Sequence, residues 1–532
     1  MPEPELGEYF LGFQDVIRSE AMAKECVMKT LLISPPYPLF GGETKFASPP
    51  LGLAYIAAVL EEAGQEVDVL DCVVADYDNE YVNDRGLLIY GLDTNAILER
   101  IAAYKPDIIG ISCLFSTVDL TVNDLADTIR ERHPSIKIVL GGTHATVLAE
   151  DLVRRDSIDF VVKGEGEQAF LELVEHLSGK RDLEDVNNLT WFKGGEIQST
   201  PQRFIDDIDK LPLPARHLLD MEGYMRIGRM QGVTRPGLRA TTLITSRGCP
   251  ADCVFCSIHT VWGKAYRGHS PEYVMRELIE LKEKYNIEHV LFEDDNLTFD
   301  RARAATIFDA MVEKKLNMSW TTPNGVAMWV LNAELLAKMK RAGCHQLFLA
   351  FESGVSDTLV HIVKKPLRLD KAQEIATECR KLGIRTQAFF VLGFPGETKE
   401  LMQQSMKFAE NLDVDQISVA VATPYPGTPL YADCVEKGYI DPKNFEVGKL
   451  MTRVGHIETP DFTPHDVESL IAKTYVRFAL KHPYRSLRRL AGRFVVDPLQ
   501  TVSFVYNRFA DLLRLRSGRE DAYRDRNMGV AK

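Results

Sequence analysis

Three cysteines on one short loop limit what this chain can become more than any other feature. Cys249, Cys253 and Cys256 follow a C-x3-C-x2-C spacing. They come directly after residues 242–245, Thr-Leu-Ile-Thr, a short apolar run that reads as a buried strand. Three thiolates on one loop can converge on a single metal centre, and an all-sulfur donor set favours an iron–sulfur cluster or zinc. A structural zinc site closes with four ligands, usually from two C-x2-C pairs, and no second pair is present here. A four-iron cluster held by three thiolates instead leaves one iron open, able to bind a small chelating molecule and pass it an electron. A partial zinc site or three unrelated thiols are the alternatives.

Upstream of that loop, apolar strands alternate with amphipathic segments. Residues 30–34, 67–71, 108–112, 137–140 and 160–162 read as strands, and residues 51–63, 97–104, 122–132, 147–155 and 170–177 as helices. This alternation predicts an α/β fold with a doubly wound parallel sheet, whose ligands sit outside the carboxyl ends of the strands. Pro35, Ser112, Gly141-Gly142 and Gly164-Glu165-Gly166 all fall at that edge. Paired glycines there let a large planar ligand approach the backbone closely. A sheet of this kind can serve any nucleotide.

Bulk properties narrow the classes. At 532 residues, two to four domains are expected. A net charge of −13 disfavours nucleic-acid partners. No apolar run approaches the roughly 18 residues that span a bilayer. The first ten residues, MPEPELGEYF, have no apolar core of a secretory signal. Nine cysteines, an odd number with three committed to one loop, argue against a disulfide framework and for a reducing, cytoplasmic setting.

The triad, with Arg247-Gly248 before it, Pro250 within it and Phe255 between the last two cysteines, resembles the radical SAM family. There the open iron holds the amino and carboxylate groups of S-adenosylmethionine. Joined to such a loop, the upstream sheet resembles the cobalamin-binding domain of the cobalamin-dependent subfamily. The PPLGLAYIAAVLEEAG helix and the G-G-x-H and G-E-G-E stretches fit that subfamily. The resemblance implies cobalamin contacts from Pro35, Ser112, Gly141, Gly142, His144, Gly164, Glu165 and Gly166. The chain lacks the D-x-H-x-x-G motif in which His ligates cobalt from below. His144 therefore reads as a loop residue that hydrogen bonds a phosphate, amide or backbone group.

From residue 241 a second strand–helix series runs to about residue 437, six units suited to an incomplete barrel with catalytic loops at the carboxyl ends of its strands. Helix starts are expected at Ser270-Pro271 and after Asn332. The resemblance implies S-adenosylmethionine contacts from Phe255 and from Asp294, Asp295 and Asn296 after the second strand. It implies further contacts from Glu352 and Ser353 after the fourth, and from Gly393 and Pro395 after the fifth. A helix cap with solvated charges is the alternative at 293–296, and an ordinary strand-to-helix turn explains residues 393–397 nearly as well. Trp262, Trp320 and Trp329 read as core more readily than as substrate walls, and Cys344 and Cys379 as buried small hydrophobes.

The expected organisation is a lead at residues 1–28, a flavodoxin-like cobalamin-binding domain at 29–180, and a linker at 181–240. A partial (β/α)6 radical SAM barrel follows at 241–440, then a helical basic tail at 441–532. A Gly194-Gly195 hairpin and an extended Leu-Pro-Leu-Pro-Ala stretch at 211–215 lie in the linker, and residues 221–239 read as loop. Between Lys473 and Arg519 the tail has 11 Lys and Arg against Asp497 and Asp511. Val502, Val505, Phe509, Leu512 and Leu513 fall at helical spacing. Such a helix either lies peripherally on an anionic membrane or packs on the acidic body.

Within the subfamily the similarity is densest to the hydroxyethylphosphonate methyltransferases of fosfomycin biosynthesis, over most of residues 30–450. The turn at 393–397 is shorter here, so their substrate does not carry over. The resemblance implies methylation of an unactivated carbon in a small molecule or lipid, with a [4Fe-4S] cluster, cobalamin and S-adenosylmethionine. A reductase, flavodoxin or ferredoxin would supply electrons. The rival is a radical oxidase or cyclase that uses cobalamin without net methyl transfer.

Overall fold

The computed structural model describes residues 27–506 apart from residues 41–43, 84, 232, 235–236, 444, 497, 499–500 and 503–504. Almost all of the lead, and Phe509, Leu512 and Leu513 of the tail, lie outside the described residues.

Strands β1 (Lys29–Ser34), β2 (Glu66–Asp71), β3 (Ile108–Ser112), β4 (Lys137–Gly141) and β5 (Phe160–Val162) pair in parallel, in the order β2-β1-β3-β4-β5. This is the doubly wound order, with a switch point between β1 and β3 where the following loops diverge. Leu31, Leu32, Ile33, Ile108, Ile109, Ile138, Val139 and Leu140 are all buried, because helices cover both faces of the sheet. Those helices include α1 (Leu51–Glu62) and α3 (Glu167–Leu177), with the short α2 (Thr143–Val147) after β4. A single helix over 147–155 is not formed. It starts at Thr143, breaks at Leu148 and resumes at Ala149–Leu152, so His144 lies in a helix and not in a loop.

Strands β6 (Leu189–Lys193) and β7 (Glu196–Ser199) extend the same sheet in antiparallel fashion beyond β5. They join through Gly194 and Gly195 at φ 64° and 87°, the two left-handed positions of a tight hairpin. Leu189 and Trp191 bury into the core of Phe160 and Phe170, so the sheet runs to Ser199, past residue 180. The connection after it wraps the two halves together. Ala215 N–H donates to the Ala54 carbonyl of α1 (2.9 Å). The buried Arg216 reaches Glu277 (2.5 Å) and donates to the Thr242 carbonyl (2.9 Å). Residues 221–239 are not all loop. Helix α4 (Met221–Ile227) is capped by Asp220 and ended by Gly228 at φ 59°. Its Tyr224 hydroxyl donates to Asp71 at the end of β2.

The second sheet is parallel throughout and in sequence order: β8 (Ala240–Leu243), β9 (His289–Phe292), β10 (Ser319–Val326), β11 (Cys344–Glu352), β12 (Arg385–Leu392) and β13 (Gln416–Val421). Sequential parallel pairing with β8 and β13 unpaired to each other is the open, partial barrel. Ser270 caps α5 (Pro271–Tyr285) by accepting from Tyr273 N–H (3.1 Å), and Asn332 caps the helix Ala333–Arg341. Trp320 is core, stacked on Phe308 with 5.1 Å between ring centroids. Cys344 and Cys379 are buried.

Helix α6 (Lys399–Asn411) follows β12 and packs against α7 (Pro464–Lys481), which opens with a Thr463–Asp466 capping box. Helix α8 (Pro483–Val496) follows. Its Arg485 donates to the Val414 carbonyl (2.7 Å) and pairs with Asp413, while Leu480, Tyr484, Leu487, Phe494 and Val495 stay exposed. No helix among the described residues is long and apolar enough to cross a membrane.

Candidate functional site

The cysteine loop is anchored before it begins. Asp294, after β9, accepts from the hydroxyls of Thr245 (2.7 Å) and Ser246 (2.5 Å) and from the Thr245 N–H (3.1 Å). Gly248 sits at φ 82°, where a Cβ would lie 2.2 Å from the Ala265 carbonyl oxygen, so only glycine fits the turn into Cys249. The loop is then held by Val254, whose N–H donates to Val363 O (3.1 Å) and whose carbonyl accepts from Leu430 N–H (2.9 Å). His259 Nε2 lies 2.9 Å from Cys249 O, and Asn296 Nδ2 3.8 Å from Cys249 Sγ.

The three thiols are half-buried and unbridged. Burial pushes Cys253 up to about 11 and Cys256 to about 12, so they ionise only beside a strong positive centre. Three thiolates from one loop suit a four-iron cluster with one iron left open, and they fall one ligand short of the four that a structural zinc takes.

A cavity of about 860 Å³ lies between the carboxyl edges of the two sheets. Pro35, Ser112, Gly141, Gly142, His144, Gly164, Glu165 and Gly166 all line it from the first sheet, and Arg247, Ser257, Ile258, Trp262, Glu293 and Asp295 from the second. Its size is in the upper part of the range for small-molecule sites. The glycines on the first side are required by shape. At Gly142 (φ 103°) a Cβ would lie 2.7 Å from Cys113 O, and at Gly164 (φ 65°) it would meet Gln202 and Val261 O. Leu114, Phe115 and Phe46 also line the cavity and are exposed, apolar surface for a large ring to cover. These features fit a corrinoid. His144 is 4% exposed, with Nδ1 in a hydrogen bond with Ser116 Oγ (3.1 Å) and Nε2 lying 3.1 Å from Asp119 Oδ1. It stands in the wall beside Asp119 and Cys113.

Glu165 has a different role from the contact expected of it. Its carboxylate is buried against two arginines of the barrel, Arg247 (3.3 Å) and Arg267 (2.7 Å), and Glu167 takes Arg247 at 2.5 Å. Burial alone would lower the Arg247 pKa. The two carboxylates more than offset it and hold the guanidinium charged. Arg247 also lies over the ring of Trp262 (4.7 Å), so Trp262 belongs to the cavity wall. This domain lock was not foreseen. Arg247 stood out only as a neighbour of Cys249, and nothing local marks Arg267.

The other expected residues divide by whether their polar groups remain available. Glu293 and Asp295 face the cavity, and both are raised to about 7, by burial first and the charge of Asp294 second. No cation pairs with either among the described residues. Asn296 is buried and its Oδ1 has no partner among the described residues. Asp294 is spent on the loop root and has no edge left for a ligand. Glu352 stands at φ 63°, a strained conformation for a non-glycine residue, at a bulge ending β11, with Lys365 Nζ at 2.7 Å. Ser353 is fully buried and bonded to Ser405 and Val355 N–H. At Gly354 a Cβ would come 2.5 Å from Phe408. The Gly393 and Phe394 N–H groups both donate to Glu397, Pro395 is buried beside them, and Phe394 packs on Phe255 (5.8 Å). That turn thus braces the cysteine loop.

Residues 38–174 match the B12 binding domain family and residues 243–409 the radical SAM superfamily. The chain is 32% identical over 476 residues to cytidylyl-2-hydroxyethylphosphonate methyltransferase of Streptomyces wedmorensis, covering 84% of this chain and 89% of that protein. It is 33% identical over 460 residues to an uncharacterised methyltransferase of Pyrococcus horikoshii, covering 86% and 93%. Among solved structures it resembles the radical S-adenosylmethionine methyltransferase TsrM from Kitasatospora setae with cobalamin and a [4Fe-4S] cluster bound. That match has a TM-score of 0.62 at 18% identity and covers 77% of this chain and 78% of that one.

Proposed function

The chain belongs to the cobalamin-dependent radical SAM methyltransferases, and from that membership we propose a substrate with an apolar body and a polar anchor, methylated in the cavity between the two sheets. The enzyme is a C-methyltransferase acting on an unactivated carbon, and its cofactors are a [4Fe-4S] cluster, cobalamin and S-adenosylmethionine. Bound there, they supply a transferable methyl group and one-electron chemistry able to activate a C–H bond.

The observation that carries the proposal is the shared wall. One cavity is bordered by the glycine rim of the first sheet and by Ser257 and Ile258, directly after Cys256. Cys249, Cys253 and Cys256 hold the cluster. Glu293 and Asp295 offer two unpaired carboxylates to an ammonium group, with Asn296 beside them. Arg247, fixed by Glu165 and Glu167, keeps the two edges in register. Trp262, in the cavity wall, keeps water from the reacting carbon. Beyond the surface left to the corrinoid, Leu148 and Met451 give the cavity an apolar side, and Gln231, Asn324 and Thr452 give it a polar one, which suits a lipid or another largely apolar small molecule.

Two further partners belong to this reading. A one-electron donor, a reductase or a flavodoxin or ferredoxin, feeds the cluster. The exposed apolar side of α8, with Arg488 beside it, rests peripherally on an anionic membrane. The bonds of Arg485 to the body hold the opposite side.

Anaerobic reconstitution with cobalamin and methyl-labelled S-adenosylmethionine tests the function. The expected result is label in the product and two S-adenosylmethionine consumed per turnover. The Cys253→Ala protein should keep cobalamin, seen in its visible spectrum, and form no deoxyadenosine. An oxidised or cyclised product without label would overturn the methyltransferase reading.

A further inference from the structure

A basic groove on the outer face of the barrel connects to the cysteine loop through packed side chains. It runs between α6 and α7, has a volume of about 570 Å³, and is lined by Met402 and Leu470 and by Lys399, Lys407, Lys473 and Arg477. Two of these cations are matched: Lys399 lies 2.9 Å from Asp466, and Arg477 3.6 Å from Glu410. Lys407 and Lys473 make no ion pair among the described residues. The groove is thus positive on a chain whose net charge is −13.

Its inner wall leads to the site. Val467, next to Asp466, packs on the turn after β12, where a Cβ on Gly393 would lie 3.2 Å from its methyl group. Phe394, next in that turn, meets Phe255 ring to ring at 5.8 Å. Phe255 stands between Cys253 and Cys256. One packing contact of Val467 on the Gly393 backbone and one ring contact therefore link the groove's inner wall to the cluster loop.

We propose that this groove is the docking face for a small acidic one-electron carrier of the flavodoxin class, and that its electron enters through Val467, the Gly393–Phe394 turn and Phe255. The inference rests on the radical SAM reading above and adds the partner's location. A single electron moves, from the carrier's reduced flavin to the cluster, and no bond forms or breaks. The arrangement suits a protein better than a lone phosphate. From Lys399 to Lys407, eight residues of helix spread the charge over roughly 12 Å, wider than a single phosphate can span. An acidic carrier is repelled by most of a chain of this net charge. The positive groove then selects both the place and the orientation of encounter.

The test is stopped-flow reduction of the anaerobically reconstituted protein by an acidic flavodoxin in its hydroquinone form, followed by bleaching of the cluster absorbance, with dithionite as the control reductant. Calorimetric titration with the oxidised flavodoxin gives affinity without turnover. For the Lys407→Glu/Lys473→Glu protein, the expected result is at least tenfold slower reduction by flavodoxin, weaker binding and a shallower salt dependence. Reduction by dithionite should be unchanged. Equal flavodoxin rates in the two proteins would overturn the proposal, as would a parallel loss with dithionite or no transfer from flavodoxin to the unaltered protein at low salt. Failure of the function itself shows elsewhere, as dithionite-reduced protein that forms no deoxyadenosine.

Discussion

Two pairs of carboxylates, one buried and one half-buried, border the same cavity, and the difference between them explains how the molecule divides its labour. Glu165 and Glu167, on the first sheet, are neutralised by Arg247 and Arg267 reaching over from the barrel. Glu293 and Asp295, on the barrel, face the cavity with no cation against them among the described residues, and both are raised to about 7. The first pair is complete and joins two domains. The second is incomplete until a cationic ligand arrives. A buried charge with its partner is structure, and a buried charge without one is a binding site waiting for its counter-ion.

That contrast breaks most visibly at the lock. Arg247→Met should cost about 3–5 kcal/mol, because it strands Glu167 and leaves Glu165 with one arginine. Denaturant titration measures the loss. Adding Glu167→Gln should recover part of it, since the stranded charge is then gone. If the double variant is no more stable than the single one, the two residues are not an ion pair in solution.

Next comes the unpaired pair. Asp295→Asn should weaken S-adenosylmethionine binding by roughly 10- to 100-fold, the size of a lost charge-assisted hydrogen bond of about 1.5–3 kcal/mol. Equilibrium binding to the reconstituted, unreduced protein measures it. The same change at Asp294 should instead loosen Thr245 and Ser246 and show itself as lost cluster content, measured as iron per chain.

The pH dependence gives a sharper sign. Glu293 is raised from an unfolded value of 4.5 to about 7, by burial first, so the folded ligand-free protein prefers it protonated. Its contribution to stability is complete below 4.5 and is lost as pH rises to about 7, by roughly 3 kcal/mol at most. Glu293→Gln should flatten that part of the stability profile. A profile with the same slope in both proteins would assign the dependence to other groups.

A smaller effect is expected at Gly142→Ala, where φ of 103° and contact with Cys113 O should cost roughly 1–3 kcal/mol and weaken cobalamin binding. Smallest of all is His144→Ala. Its ring nitrogens are turned to Ser116 and Asp119 within the wall, so the spin-resonance spectrum of the bound, one-electron-reduced cobalamin should keep the same axial signature. A changed signature would make His144 a cobalt ligand after all.

What the sequence disclosed follows from the range of the interactions. The strands were legible because both faces of each sheet are covered, which writes them as apolar runs such as residues 31–33 and 108–111. The cysteine loop was legible because its ligands are local. Helix α4 was missed because it is short, contains Gly223 and ends at Gly228, although Met221, Tyr224 and Met225 carry its apolar spacing. The lock was illegible because Arg247 and Glu167 are 80 positions apart, and neither leaves a local sign of the other. Adjacent Asp294 and Asp295 could not be told apart, since which of them turns toward Thr245 and which toward the cavity is decided by the packing of β8 against β9.

The central claim is that three sulfurs hold a cluster facing a corrinoid across one cavity. Electron spin resonance of the anaerobically reconstituted protein, with cluster and cobalamin each reduced to its paramagnetic state, tests it directly. The account predicts two signals broadened or split by their mutual magnetic coupling, and loss of that coupling in the Cys253→Ala protein. Two independent, unperturbed signals, or a protein that takes up zinc in place of iron, would contradict it.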